Sequence, residues 1–279
     1  MLILAFGLAL LALLLLAGLA LRLLDARADR AEWRRLVAKQ TPAGKTFDPA
    51  QIAHLPEPAR RYFGYVIAPG APLHSVVEIA MAGSFSLGSQ AKPDYQPMHA
   101  EQILAVPHGF VWRVRLHGGM CISGSDTGRW TRFRILGVVP VARLGGGPDH
   151  ALAAYGRFVA EAVFWAPASL LPGPGVRWEA VDDNTARVTV TSGELEQVVD
   201  VTVAENGCPK VVAFQRWSNA NPEKVWRRQP FGGYLSDFRT KDGYCLPYRV
   251  EAGNMFDTPD YFPFFRAEVT AIRYPEGAA

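Results

Sequence analysis

The sequence predicts a mainly β protein: one large curved antiparallel sheet, an open or partly closed barrel, with a single helix filling its concave face and a transmembrane helix ahead of it. Three observations carry this. After Leu73 the chain breaks into short segments of alternating apolar and polar residues separated by turn signals, the period of half-buried strands. Within that region residues 149–164 show the 3.6-residue period of a helix. Residues 1–21 carry no charged side chain.

At a rise of about 1.5 Å per residue, residues 1–21 span about 30 Å as a helix, the thickness of a bilayer's hydrocarbon core. A cleaved leader needs a basic start and a shorter apolar run, and "ARA" at 26–28 is embedded in charge. The expectation is an uncleaved, single-pass anchor in a bacterial inner (cytoplasmic) membrane. Arg22, Arg27, Arg30, Arg34, Arg35 and Lys39 follow the run. The positive-inside rule keeps such a flank, and the domain with it, in the cytoplasm. Anchored envelope proteins usually face the other way, so the side stays open. The helix continues to Lys39 with Trp33 near the membrane interface, and "TPAG" at 41–44 ends it. Residues 1–40 are thus anchor and juxtamembrane helix; residues 41–275 form a single antiparallel β domain.

In "FDPAQIAHLPEPARRYFGYVIAPG", Asp48 is placed to cap a helix opened by Pro49, and Pro58 opens a second. Strands are expected at 74–87, 98–105, 109–116, 120–123 and 129–135, and again at 176–181, 186–191, 195–203, 211–217, 233–240, 245–255 and 264–274. In "FVWRVRL", Phe110, Trp112, Val114 and Leu116 share one face and Arg113 and Arg115 the other. "DDNTA", "ENGCP" and "KDGYC" supply hairpin turns. So many consecutive strands make a hollow that something must fill.

The helix at 149–164 is the candidate, with Asp149 as its N-cap. Leu152, Tyr155, Val159 and Ala162 fall on one face. The opposite face carries His150, Arg157 and Glu161, but also Ala154 and Phe164, with Trp165 close by. A helix apolar on both sides is one buried on both sides. Three readings of Arg157 and Glu161 stay open: a solvated i,i+4 pair of about 0.3–0.5 kcal/mol, a buried tie between helix and sheet, or a pair facing a ligand.

The net charge of +3 does not suggest a polyanion binder, and no nucleic acid is expected. Three cysteines cannot form a disulfide framework; free thiols are favoured, with a Cys208–Cys245 bridge as the open alternative. Six histidines lack metal spacing, and there is no HExxH, CxxC, GxSxG or P-loop, so no metal or cofactor is expected. "GGG" at 145–147 is a flexible loop. Asp126-Thr127-Gly128 is the aspartic-protease triplet without its second copy, and a turn is the expectation. Arg113, Arg115, Arg132 and Arg134, with Trp130 beside Arg132, form a candidate membrane-surface patch. Near anionic headgroups each contributes about 1 kcal/mol; the alternative is a solvated face. "MFDTPDYFPFF" at 255–265 is core, or else a pocket mouth or a loop dipping into the interface.

"LPEPARRYF", "RFVAEAVFWAPASLL", "VRWEAVDDNTARV" and "DGYCLPYRVEA", in that order over 55–274, resemble a bacterial family known only as a domain of unknown function. Its LPxPxRRYF and RxxAE motifs bring no catalytic residues with them. The strand–helix–strand order and the "DG…LP" hairpin are similar to periplasmic lipoprotein carriers and related lipid-binding half-barrels, a resemblance that implies a lipid-binding hollow. The resulting expectation is a membrane-anchored domain that binds an apolar or amphipathic small molecule, lipids included. Trp112, Trp178, Phe164 and Trp165 would give apolar contact; Arg157 and Glu161 would hold a polar end. An enzyme, hydrolase or isomerase, using Glu161 or Asp126 as base is one alternative. A scaffold recruiting another protein is the other.

Overall fold

The computed structural model describes residues 2–40 and 44–276, so the predicted helix stop at 41–43 lies outside the described residues. Thirteen strands form one antiparallel sheet. They are β1 (Val77–Ser86), β2 (Tyr95–Ala105), β3 (Gly109–Leu116), β4 (Ile122–Thr127), β5 (Trp130–Ile135), β6 (Val139–Gly145), β7 (Val176–Ala180), β8 (Thr185–Ser192), β9 (Leu195–Val203), β10 (Pro209–Ser218), β11 (Arg227–Lys241), β12 (Tyr244–Asn254) and β13 (Phe262–Arg273). The order is β6-β5-β4-β3-β2-β1-β13-β12-β11-β10-β9-β8-β7. Two meanders are therefore joined where β1 meets β13, from Glu78 opposite Arg273 to Phe85 opposite Phe265. The sheet is curved but not closed, and β6 and β7 are its edges. Short turns link neighbouring antiparallel strands. The jump from one edge to the other needs a long connection, and α3 (Pro148–Trp165) provides it.

Alternation decides what each face meets. On β3, Phe110, Trp112, Val114 and Leu116 are buried on the inward face. Val111 points outward, where the second half of α1 (Leu2–Val37) lies against the sheet. Leu36 there joins Val76, Ile103, Ala105 and Val111 in a small separate core. The Trp33 indole N–H donates to Glu78 Oε1 at 2.7 Å, and the Arg113 guanidinium stacks over its ring at 4.1 Å. Trp33 is thus a docking residue, not the interfacial anchor expected. The cause is a stripe at helical spacing, Asp25, Asp29, Glu32 and Leu36, which turns one side of α1 toward the domain. The apolar first half of α1, from Ile3 to about residue 24, stays exposed.

Asp48 forms a capping box with Gln51 at the start of a short 3-10 turn, Pro49–Ile52. Next comes α2 (Glu57–Val66), which buries Ala59, Tyr62, Phe63 and Val66. The Tyr62 hydroxyl donates to the Val163 carbonyl near the end of α3 at 2.5 Å. This bond satisfies one of the carbonyls that a helix C-terminus leaves without a partner. The concave face is filled by α3, with α2 closing the space around its C-terminus.

Three expectations change. The N-cap of α3 is Gly147, with Pro148 at the first helical position. Asp149 instead accepts a hydrogen bond from the Trp217 indole at 2.8 Å. Residues 139–145, outside the expected strands and reaching into the expected Gly loop at 145–147, form β6. An edge strand needs only one partner, so it tolerates Pro140, and a bulge at Phe133/Arg134 absorbs the irregularity. Asp126 and Thr127 belong to β4, not to a turn. All three cysteines are free thiols.

In the C-terminal half of α3, Phe158, Val159, Ala160, Ala162, Val163, Phe164 and Trp165 are all buried. At about 1.5–3 kcal/mol for each large apolar side chain, this burial holds the helix in place far more than its propensity does. Gly156 shows how close it lies. A Cβ there would sit 2.6 Å from Gln197 Oε1 on β9, so the helix accepts a residue costing about 1 kcal/mol relative to alanine.

Candidate functional site

One row of side chains runs across four strands on the inward face. Gln102 on β2 sits opposite Trp112 on β3, Trp112 opposite Asp126 on β4, and Asp126 opposite Thr131 on β5. Arg157 of α3 lies over this row. Its Nη1 donates to Asp126 Oδ2 at 2.7 Å, its Nε to Glu161 Oε1 at 2.8 Å and its Nη2 to Gln102 Oε1 at 3.4 Å. Its guanidinium carbon stands 4.8 Å from the ring centroids of both Phe110 and Trp112. Gln102 Nε2 closes the circuit to Glu161 Oε2 at 2.5 Å, and the Thr131 hydroxyl donates to Asp126 Oδ1 at 2.5 Å. His150 Nε2 lies 3.1 Å from that hydroxyl.

The Arg157 and Glu161 side chains keep only 17% and 14% of their surface in contact with solvent, which removes the solvated-pair reading. Burial alone would depress the Arg157 pKa. The Glu161 and Asp126 carboxylates outweigh it and hold the guanidinium above its ordinary value. Such a tie is expensive to break on one side, because the charges left behind stay buried.

Beside this cluster a cavity of about 270 Å³ opens between α3 and the sheet. Its wall is mainly aromatic: Phe85, Trp112, Phe133, Phe164, Trp165 and Phe214 among others, with Ala160, Val212, Leu235 and Val250 between them. Asp126, Arg157, Glu161 and Arg216 form its polar side. A few convergent polar groups in an apolar hollow is the usual make-up of a small-molecule site. The volume lies just below the range of about 300–1,000 Å³ for such sites.

Of the six residues expected to meet a ligand, Trp112, Arg157, Glu161, Phe164 and Trp165 line this cavity. Trp178 does not. Its ring sits against Tyr62 and Phe63 of α2, with centroids 5.5 and 5.2 Å away, and its indole donates to the Leu170 carbonyl at 2.8 Å. Three of the four arginines of the expected membrane-surface patch are also placed otherwise than a free patch requires. Arg132 and Arg134 both pair with Asp25 of α1, as does Arg143. Arg113 stacks on Trp33, and Arg115 is exposed. Arg216 at the cavity was not anticipated, Asp126 was anticipated only as an alternative base, and Gln102 joins the ion-pair cluster without lining the cavity. For Arg216 the signal was present: Val212, Phe214 and Arg216 alternate on one face of β10, so an arginine follows two core residues. Among the described residues no group of three or more His, Cys, Asp or Glu side chains is placed to hold a metal ion.

A comparison with curated proteins returns no match. Among solved structures, the chain is similar to a LolA superfamily protein from Nitrosomonas europaea at 13% identity, covering 71% of this chain and 84% of that one with a TM-score of 0.37. It is also similar to a domain described as an outer-membrane lipoprotein-sorting protein from Vibrio parahaemolyticus, at 10% identity, covering 74% and 87% with a TM-score of 0.35. The RRYF and RxxAE segments, which supply Tyr62 of the α2–α3 contact and the Arg157–Glu161 tie, lie inside the stretch 45–267 that matches the model of a family of unknown function, DUF6544, and the chain belongs to that family.

Proposed function

We propose that the protein is a membrane-anchored binding domain that takes a single-chain apolar or amphipathic molecule, of the lipid class, into the cavity between α3 and the sheet. The observation that carries this is the aromatic hollow of about 270 Å³ with its charged groups gathered on one side. A volume of this size suits one chain rather than a multi-acyl lipid. Asp126 and Glu161 both spend oxygens on Arg157, and Gln102 and Thr131 take the others. That arrangement favours a positioning cluster over a general base.

The apolar half of α1 supports attachment in a bilayer, since it is long enough to cross and buries nothing against the domain. Retention of the anchor is favoured by Asp25, which is 3% exposed and faces three arginines. Cleavage within 26–28 would strip that carboxylate away. Two features support a position of the β5–β6 hairpin beside the membrane. A Cβ on Gly18, within the apolar run, would lie 2.9 Å from the Val138 carbonyl at the hairpin tip, and Leu136 and Leu144 stand 66% and 65% exposed. Arg22, Arg27, Arg30 and Arg34 are exposed along α1, as a flank retained in the cytoplasm of a bacterial inner membrane would be.

The test is native mass spectrometry of the full chain extracted from membranes in a mild detergent. A stoichiometric lipid-class adduct is expected on the wild type and should be lost in Ala160→Leu, which fills the cavity. Wild type emerging without any adduct, and failing to take one up from added single-chain amphiphiles, would refute the reading.

A further inference from the structure

Arg216 on β10 lines the same cavity, yet no ion pair or side-chain hydrogen bond reaches it among the described residues. Its Nε is buried without an acceptor, and its guanidinium carbon stands over the Phe231 ring at 4.8 Å. The contrast with Arg157 is plain, because that side chain has two carboxylates and an amide in contact. Asp126 and Glu161 act on Arg216 only at a distance, while Arg157 repels it. Burial first, then that repulsion, lowers its pKa to about 10. At neutral pH it remains a cation. A second donor in the wall shares the condition: Trp112 Nε1 is buried with no acceptor. The residues of the cavity wall thus carry N–H donors left over after the protein's own acceptors have been used.

A guanidinium presents paired N–H groups that match two oxygens of one carboxylate or phosphate, and such charge-assisted bonds are stronger than neutral ones. Buried donors without partners are rare in folded proteins and call for a specific reason. Resting on the binding reading above, we infer that the ligand is a single-chain amphiphile with an anionic head, carboxylate or phosphate, held by Arg216 while its chain lies among the aromatic rings. Arg157 then has a positioning role: fixed by Asp126 and Glu161, it keeps both carboxylates neutralised so that they do not repel the incoming anion.

The full chain in amphipol is equilibrated separately with dodecanoate, dodecyl phosphate, dodecanol and dodecylamine, freed of excess, and the retained ligand is counted by native mass spectrometry. Wild type should retain dodecanoate or dodecyl phosphate at least ten-fold better than dodecanol, and the two anions show which head is preferred. Arg216→Met should bring anion retention down to the dodecanol level while dodecanol itself is unchanged. Arg216→Lys, which keeps the charge but not the two-pronged geometry, should fall between and covers the case in which the methionine variant fails to fold. Equal retention of dodecanol and both anions by wild type would overturn the anionic-head inference and leave the cavity as an apolar site. Undiminished anion retention in folded Arg216→Met would do the same. Retention of none of the four would remove the binding reading itself.

Discussion

Arg157 of α3 and Asp126 of β4 meet at 2.7 Å, and this ion pair fastens the helix that crosses the bowl to the row of side chains spanning β2 to β5. Arg157→Met leaves two carboxylates in a partly dry site without their cation. A loss of about 3–5 kcal/mol is expected, the usual result of breaking a buried pair on one side. Adding Asp126→Asn and Glu161→Gln to that variant removes the stranded charges and should recover most of the loss. Urea unfolding midpoints of the single and triple variants measure both effects. A neutral single variant would mean that the cluster is solvated.

Asp25 governs how α1 sits on the domain. It serves Arg132 at 3.1 Å, Arg143 at 2.7 Å and Arg134 as well, so Asp25→Asn leaves three arginines clustered around a neutral amide. Hydrogen exchange over residues 22–37 and over the β5–β6 hairpin should speed up at least ten-fold, a change of about 1.4 kcal/mol in opening free energy or more. The apolar half of α1 should show no change. Unaltered exchange over residues 22–37 would show that Leu36 and Trp33 suffice to hold them.

Gly18 in the apolar half of α1 lies so close to Val138 that an added Cβ would stand 2.9 Å from its carbonyl, which places the hairpin tip beside that half of the helix. With the full chain in lipid nanodiscs, an indole introduced as Leu136→Trp should be quenched by lipids brominated near the top of the acyl chains. Leu10→Trp, in the middle of the apolar half of α1, serves as the reference for deep quenching. Quenching of the second without the first would put the hairpin outside the bilayer.

Mild acid should loosen the start of the β domain. His74 Nδ1 lies 2.9 Å from Gln40 Nε2, whose Oε1 also accepts from the Val76 amide at 2.9 Å. Only neutral imidazole accepts that bond. Burial lowers the His74 pKa, with Asp242 pulling the other way; Tyr274, stacked on the ring at 4.0 Å, and Tyr244 do not titrate in this range. A depressed folded-state value means the unfolded chain binds the proton first. The contribution is therefore complete above about pH 6.5 and is lost as pH falls through the folded-state value. Urea midpoints at pH 7.5 and pH 5 should differ more for wild type than for His74→Gln, and an equal difference would assign the acid sensitivity to other groups.

Alternation along single strands made the inward faces legible: the side of β3 that carries Trp112 was assigned correctly from "FVWRVRL" alone. Helical spacing did the same for α3, while burial of Arg157 was one of three readings it left open. The convergence of faces from separate strands was not legible. Phe85, Phe214 and Phe231 meet in one wall because the sheet curves, and curvature is a property of the whole sheet that no single strand's pattern encodes. Charge misled for a different reason. Arg113, Arg132 and Arg134 looked like one free surface because their partners Trp33 and Asp25 lie about 80 to 110 residues earlier, in a stretch dominated by its own arginines. Trp178 was misplaced because aromatic residues on neighbouring strands serve either of two layers, and α2 claims this one.

The junction between β1 and β13 has a consequence for biosynthesis. Glu78 finds its neighbour Arg273 roughly 195 residues further along the chain. At translation rates of about 5–20 residues per second, the first meander waits about 10–40 s with the bare side of β1 unmatched. Only when the final strand leaves the ribosome can that seam be zipped, so until then the open edge of β1 is where the nascent half-sheet is exposed to pairing with another chain's strand.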